Sequence, residues 1–190
     1  MKYLVNYEDI NNWNLSEIPE KLKKFDGLKL SECTISKLVF YNGNPIQTGN
    51  GVYIFYRING NKKEYTYVGM CSSHSFVGRI PAHFNIKHSG WFNSYLRNLV
   101  NKERRDNEEP KIKVKDFQNP ESEDKKEEYN KLLEEQAKIS LENHKLILIN
   151  FKQSNYSKDI IRNLEKLLNK VLIKNDNIID NKKTVSEYIE

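Results

Sequence analysis

Gly51-Val52-Tyr53-Ile54-Phe55-Tyr56-Arg57-Ile58 and Glu64-Tyr65-Thr66-Tyr67-Val68-Gly69, joined through Asn59-Gly60-Asn61-Lys62-Lys63, decide how this chain folds. Both runs are rich in β-branched and aromatic residues, and the segment between them contains glycine. That pattern predicts an antiparallel hairpin. A three-residue loop, Asn59-Gly60-Asn61, would pair Ile58 with Lys62 and set Tyr53 directly opposite Tyr67. Directly opposed residues share a face, with Cβ atoms about 5 Å apart. A loop one residue longer or shorter would send the two tyrosines to opposite faces.

Downstream, residues 76–84 read as helical, which places Arg79 and His83 one turn apart on the same side. Trp91, Phe92, Tyr95, Leu96, Leu99 and Val100 follow a 3.6-residue period and predict a second helix. Residues 101–122, with Pro110 and Pro120, read as a polar connection. A charged helix over 123–142 follows, anchored by Leu132, Leu133, Ile139 and Leu141.

Lys145-Leu146-Ile147-Leu148-Ile149-Asn150-Phe151 is a short apolar run that suits a buried central strand. Ser157 or Asp159 can cap the last major helix. Its stripe is Ile160, Ile161, Leu164, Leu167, Leu168, Val171 and Leu172. Glu165 falls about 90° from the centre of that stripe, at the border of the core. The tail after Asn175 reads as polar and irregular.

Upstream, 1–48 reads as an N-terminal extension, with a short helix at Ile18-Pro19 and an ambiguous stretch over 28–41. Turn clusters at Asn42-Gly43-Asn44-Pro45 and Thr48-Gly49-Asn50-Gly51 lead into the main domain, 49–190. The expected fold is α+β: a small, mostly antiparallel three-stranded sheet flanked by helices, with a charged helical insertion at about 101–143.

At 190 residues and 22.5 kDa the chain is long enough for one domain that buries about 70% of its unfolded surface. Mean hydropathy is −0.78, and no stretch approaches the roughly 20 apolar residues a membrane helix needs. The N-terminus holds no apolar run of secretory type. Cys33 and Cys71 stand far apart with no partner at zinc spacing, so a disulfide framework is not expected and a reducing cytoplasm is.

The net charge of +5 is unevenly spread. From Gly51 to Arg105 nine cations face two anions, and aromatics such as Tyr53, Tyr67, Trp91 and Tyr95 lie among them. That combination suits a phosphate-tracking surface. From Asp106 to Asn143 twelve anions outnumber seven cations.

The ordered set Gly51-Val52-Tyr53, Tyr67-Val68-Gly69, Arg79 with His83, and Glu165 on a helix after a third strand resembles the GIY-YIG nuclease superfamily. The match spans roughly 49–181. Each piece alone has an ordinary reading: strand aromatics, an exposed helix pair, a solvated helix charge. The order of the pieces carries the resemblance.

The resemblance implies phosphodiester hydrolysis with Tyr53 as general base, Tyr67 orienting water or phosphate, Arg79 on the phosphate, and His83 on the Tyr53 oxygen or the phosphate. Glu165 would hold one Mg²⁺ or Mn²⁺ ion per active site. A planar guanidinium suits phosphate. A lone carboxylate suits an Mg²⁺ ion that keeps most of its waters. A phenol with pKa near 10 is a poor base unless cations lower it, and Arg79, Lys62 or Lys63 are the candidates to do so.

Lys62, Lys63, Lys87 and His88 are candidate DNA contacts, although His88 alone reads as loop surface. The family's downstream asparagine falls at Asn177, or else at Asn181. Four features depart from the family: a longer spacing between the tyrosine motifs, Met70 after the second motif, no proline between Glu165 and the asparagine, and the acidic insertion from Asp106 to Asn143, which minimal members lack.

The compact size is most like a type II restriction endonuclease acting on double-stranded DNA as a homodimer. The extension and the 101–143 insertion would then supply sequence readout and dimer contacts. The alternatives are a structure-specific or mobile-element nuclease, and a non-catalytic nucleic-acid-binding protein on the same fold.

Overall fold

The first 48 residues are not an appendage; they complete the sheet and much of its core. The computed structural model describes residues 1–60, 62–84, 90–152, 156–174 and 183–189. Strand β1 (Leu4–Asn6) runs straight into α1 (Tyr7–Ile10). Helix α2 (Ile18–Lys23) carries Pro19 in its first turn, where a missing N–H costs nothing. The ambiguous stretch resolves into β2 (Leu28–Lys29), a 3₁₀ turn, α3 (Ile35–Val39) and β3 (Phe40–Tyr41). β3 pairs with β4 (Asn44–Pro45) in a separate ribbon.

The three expected strands are β5 (Gly51–Asn59), β6 (Lys62–Cys71) and β7 (His144–Asn150). They belong to a mixed five-stranded sheet, with order β1-β7-β5-β6 and β2 also on β7. The three-stranded antiparallel expectation is corrected here. β7 is central and apolar as expected, but its second edge would leave buried backbone groups unpaired. β1 satisfies them in parallel, Leu4 opposite Leu148, and β2 antiparallel, Leu28 opposite Leu146.

The hairpin register also differs from the sequence count. The ladder ends at Asn59 opposite Lys62, so only two residues separate the strands. A register shift then follows at Phe55/Tyr56: Tyr56 pairs with Tyr65, Phe55 with Tyr67, and Tyr53 with Gly69. Thr66 is the extra residue of a β-bulge, and its hydroxyl donates to the Phe55 carbonyl at 3.2 Å. The shorter loop and the bulge each change the facing by one residue, and together they cancel. Tyr53 and Tyr67 therefore share a face although they are not opposite one another.

That face carries Tyr53, Phe55, Tyr67, Leu146 and Leu148. The other carries Val52, Ile54, Tyr56, Val68, Ile147 and Ile149 and forms the main core. Val5, Tyr7, Ile10, Leu15, Ile18, Leu22 and Phe25 of the N-terminal segment are buried in this core, as is the apolar face of α8 (below).

Beyond the hairpin comes α4 (Phe76–Arg79), which ends before a separate 3₁₀ turn at Pro81–Phe84. A single helix over 76–84 does not form, because Pro81 lacks an N–H and its ring clashes with the preceding turn. Helix α5 (Trp91–Asp106) runs six residues past Val100, and Asn101 sits inside it, bracketing the Ile112 backbone at 2.9 and 3.0 Å. α6 (Val114–Gln118) and α7 (Glu123–Asn143) follow, the latter close to its expected span.

Ser157 caps α8 (Lys158–Leu168), its hydroxyl accepting from the Ile160 N–H at 3.2 Å. The expected single stripe through Leu172 is divided at Leu168, where a π-helical turn (Asn169–Ile173) takes over. In place of an irregular end, α9 (Val185–Ile189) buries Val185 and Ile189 in the main core.

The chain divides into two compact units, Met1–Arg79 with Asn143–Glu190, and Ile80–Glu142. The second unit thus takes in α5 as well as the expected insertion. Among the described residues no helix is long and apolar enough to cross a membrane.

Candidate active site

Both motif glycines are required by close approach. A Cβ on Gly51 would lie 1.9 Å from the Ile149 carbonyl oxygen on β7. A Cβ on Gly69 would lie 2.5 Å from Cζ and from the hydroxyl of Tyr53. The Tyr53 ring therefore crosses the bare backbone of Gly69, which carries its hydroxyl toward Tyr67 on β6. The Tyr53 and Tyr67 rings stand 6.2 Å apart, and Phe55 stacks on Tyr67 at 6.1 Å.

Arg79 and the two phenols are electrostatically coupled. The Arg79 guanidinium, which can only donate, favours the ionised Tyr53 phenol by its charge and by hydrogen bonding. Hydrogen bonding with Tyr53 does the same for Tyr67. Tyr53 is 0% exposed, Tyr67 is half-buried and Arg79 is exposed. Burial pushes the Tyr53 phenol far above its ordinary value, and the opposing pull of Arg79 does not offset it. Tyr67 is raised as well, by burial first, against the opposing pulls of Arg79 and Tyr53. The nearby negative charge of Glu165 adds to its rise.

Cys71, paired with Gly51 at the end of the same ladder, is buried, and its thiol is pushed up to about 12 by burial.

Glu165 reaches this group from the side. Ile161, Leu164, Leu167 and Leu168 of α8 pack on the core face, opposite the phenols. β6, however, is the edge strand, and Asn169 joins the Glu165 carboxylate to that edge. The Asn169 amide donates to Glu165 Oε1 at 2.7 Å, to the Glu165 carbonyl at 3.2 Å and to the Val68 carbonyl at 3.5 Å. Glu165 makes no hydrogen bond to either phenol; its charge is felt at Tyr67 across the edge. Burial raises the Glu165 carboxyl above its ordinary value, opposed by the Asn169 hydrogen bond and by Lys166.

Other sequence candidates stand elsewhere. Lys63 is turned to the core face, where its ammonium donates to the carbonyls of Leu22, Lys23 and Phe25 and lies 4.8 Å over the Tyr56 ring. It caps α2 and supplies no field to Tyr53. Lys62 is exposed at the hairpin tip, five residues along the strand from Tyr67, about 17 Å at roughly 3.3 Å per residue. His83 belongs to the second unit, in the Pro81–Phe84 turn, and is 5% exposed. Lys87, His88, Asn177 and Asn181 lie outside the described residues.

The sequence reading missed Asn169. Its signal was an asparagine one helical turn after Glu165, a spacing that brings two side chains together on any helix.

Among the described residues no three His, Cys, Asp or Glu side chains gather. Glu165 is a lone, half-buried carboxylate with Oε1 engaged. That donor set fits a hard cation that keeps most of its water and does not fit structural zinc. No family model, curated protein or solved structure matches the chain.

Proposed function

We propose that this chain is a divalent-metal-dependent DNA endonuclease of the GIY-YIG kind, hydrolysing phosphodiester bonds in duplex DNA. The observation that carries the reading is the gathering of Tyr53 and Tyr67, rings 6.2 Å apart over the bare backbone of Gly69, with the Arg79 charge acting on both phenols and the Glu165 charge on Tyr67. The sequence order of the four residues agrees with that grouping.

The roles follow from burial and charge. Tyr53 stays protonated: its buried phenol does not serve as a base at neutral pH, which replaces the role expected from the sequence. It holds Tyr67 and Arg79 in register instead. Tyr67, the more accessible phenol, is the one that would orient the attacking water or a phosphate oxygen. The exposed Arg79 guanidinium offers its remaining donors to the phosphate.

A Mg²⁺ or Mn²⁺ ion on Glu165 would act as the Lewis acid at the phosphate and leaving oxygen. Glu165 is the residue that would hold it. Neutralising the Glu165 charge would remove one of the smaller causes that raise the Tyr67 phenol, burial being the largest. Lys62, Lys87, His88 and Asn177 remain candidate DNA contacts.

A type II restriction enzyme is the form we favour, with a homodimer cutting both strands in the cytoplasm. The test is plasmid cleavage with Mg²⁺, comparing the natural chain with Glu165→Ala and Tyr53→Phe. Each variant is expected to bind duplex DNA and lose cleavage; an unaffected Glu165→Ala overturns the site. Cutting at one discrete sequence supports restriction. A preference for branched DNA would point to a structure-specific nuclease, and salt-dependent binding without cleavage to a binding protein.

A further inference from the structure

We infer that Asn169 is the positioning residue for the Glu165 carboxylate, fixing one oxygen so that the other serves a divalent cation; this rests on the nuclease reading above. The Asn169 amide has two N–H bonds and three oxygen acceptors within reach. The shortest contact, 2.7 Å, is to Glu165 Oε1, with the Glu165 and Val68 carbonyls at 3.2 and 3.5 Å. One side chain therefore ties together the end of α8, the carboxylate and the backbone of the strand that bears Tyr67.

Two further features point the same way. Glu165 Oε2 has no hydrogen-bond partner among the described residues, so the bracket occupies one oxygen and leaves the other open. Asn169 is also the first residue of the π-helical turn, a local change of helix geometry that recurs where side chains are set for function. A glutamate on a surface helix otherwise rotates among several rotamers and holds a cation poorly. Groups that orient a metal ligand from behind are worth about 10–100-fold in metal affinity or activity.

The full-length chain is titrated with Mn²⁺ by calorimetry in the absence of DNA, and the Mg²⁺ dependence of plasmid cleavage is measured in parallel. Asn169→Ala is expected to weaken Mn²⁺ binding about 10–100-fold and to raise the Mg²⁺ concentration for half-maximal cleavage. Cleavage should recover toward the natural rate at saturating Mg²⁺. Asn169→Gln, which keeps the amide donor, is expected to restore part of the affinity. If Asn169→Ala does not fold, Asn169→Leu, of the same branched shape though bulkier and without a donor, is titrated in its place.

A lowered Tm with unchanged Mn²⁺ affinity would mean that Asn169 is only structural, and the inference fails. If the natural chain binds no Mn²⁺ and cuts no DNA, the nuclease reading fails with it. If the natural chain does both and the variant behaves identically, the inference about Asn169 fails alone.

Discussion

Tyr53 and Tyr67 share one face of the sheet without facing each other: Tyr53 stands across from Gly69, and Tyr67 across from Phe55. Their rings come to 6.2 Å of each other, the Tyr53 ring lying over a residue that has no side chain. The pairing depends on two features near the hairpin, a two-residue connection and the extra residue Thr66. With the chain length unchanged, either one alone would turn Tyr67 to the core face.

Deletion of Thr66 tests whether facing alone sets the pair. Without it Tyr65 still pairs with Tyr56 and Tyr67 with Phe55, now in an unbroken ladder, so Tyr67 keeps the Tyr53 face. The variant is expected to keep its fold and its DNA cleavage, followed by urea titration with circular dichroism. A marked loss of stability or of cleavage would show that the local twist of the bulge, and not the facing alone, sets Tyr67.

Gly69→Ala tests the crossing of the ring. The added methyl group meets the Tyr53 ring and hydroxyl at 2.5 Å, inside van der Waals contact, with a wholly buried side chain that has nowhere to move. The expected cost is about 1–3 kcal/mol, the range for overpacking a filled site. On a Tyr53→Ala background the same substitution should cost much less. That coupling is read from a double-mutant cycle of unfolding free energies.

Much of this arrangement was legible in the sequence. The hairpin, the apolar β7, the Ser157 cap and the amphipathic α8 each carry a periodic or chemical signal that local physics enforces. β1 and β2 do not: three and two residues are too few to show alternation, and their partner lies more than a hundred positions away. Thr66 was invisible as a bulge because a threonine in a strand looks the same whether paired or extra. Lys63 looked like a free cation in a basic segment, since the carbonyls it caps belong to a helix forty residues earlier. Asn169 beside Glu165 was an ordinary helix spacing until the edge of β6 lay next to both.

Lys63→Met therefore separates structure from DNA contact. The ammonium satisfies carbonyls at the end of α2 that a thioether cannot. A loss of about 1–3 kcal/mol in unfolding free energy is expected, as for a charged donor removed from part-buried acceptors. DNA affinity and its salt slope should be unchanged, measured by fluorescence anisotropy across salt concentrations. Arg79→Ala should do the reverse, sparing stability and reducing cleavage.

The pH response of Glu165 has a definite sign. Its carboxyl binds its proton more tightly in the folded state than the ordinary value near 4.5, because burial disfavours the charge. Over the window from that ordinary value up to the folded one, the folded chain holds more protons than the unfolded chain. Stability from this group consequently falls as pH rises through the window, and half-exposure keeps the effect small. Glu165→Gln carries no charge at any pH, so the Tm of the natural chain should drop relative to the variant as pH climbs through that window and then run parallel to it. Added Mg²⁺ should narrow the gap by neutralising the carboxylate. Cleavage should show the complementary limb, failing as acid protonates Glu165 at a pH above that of an ordinary glutamate. Tm curves for the two chains that run parallel throughout would remove the buried charge from this account.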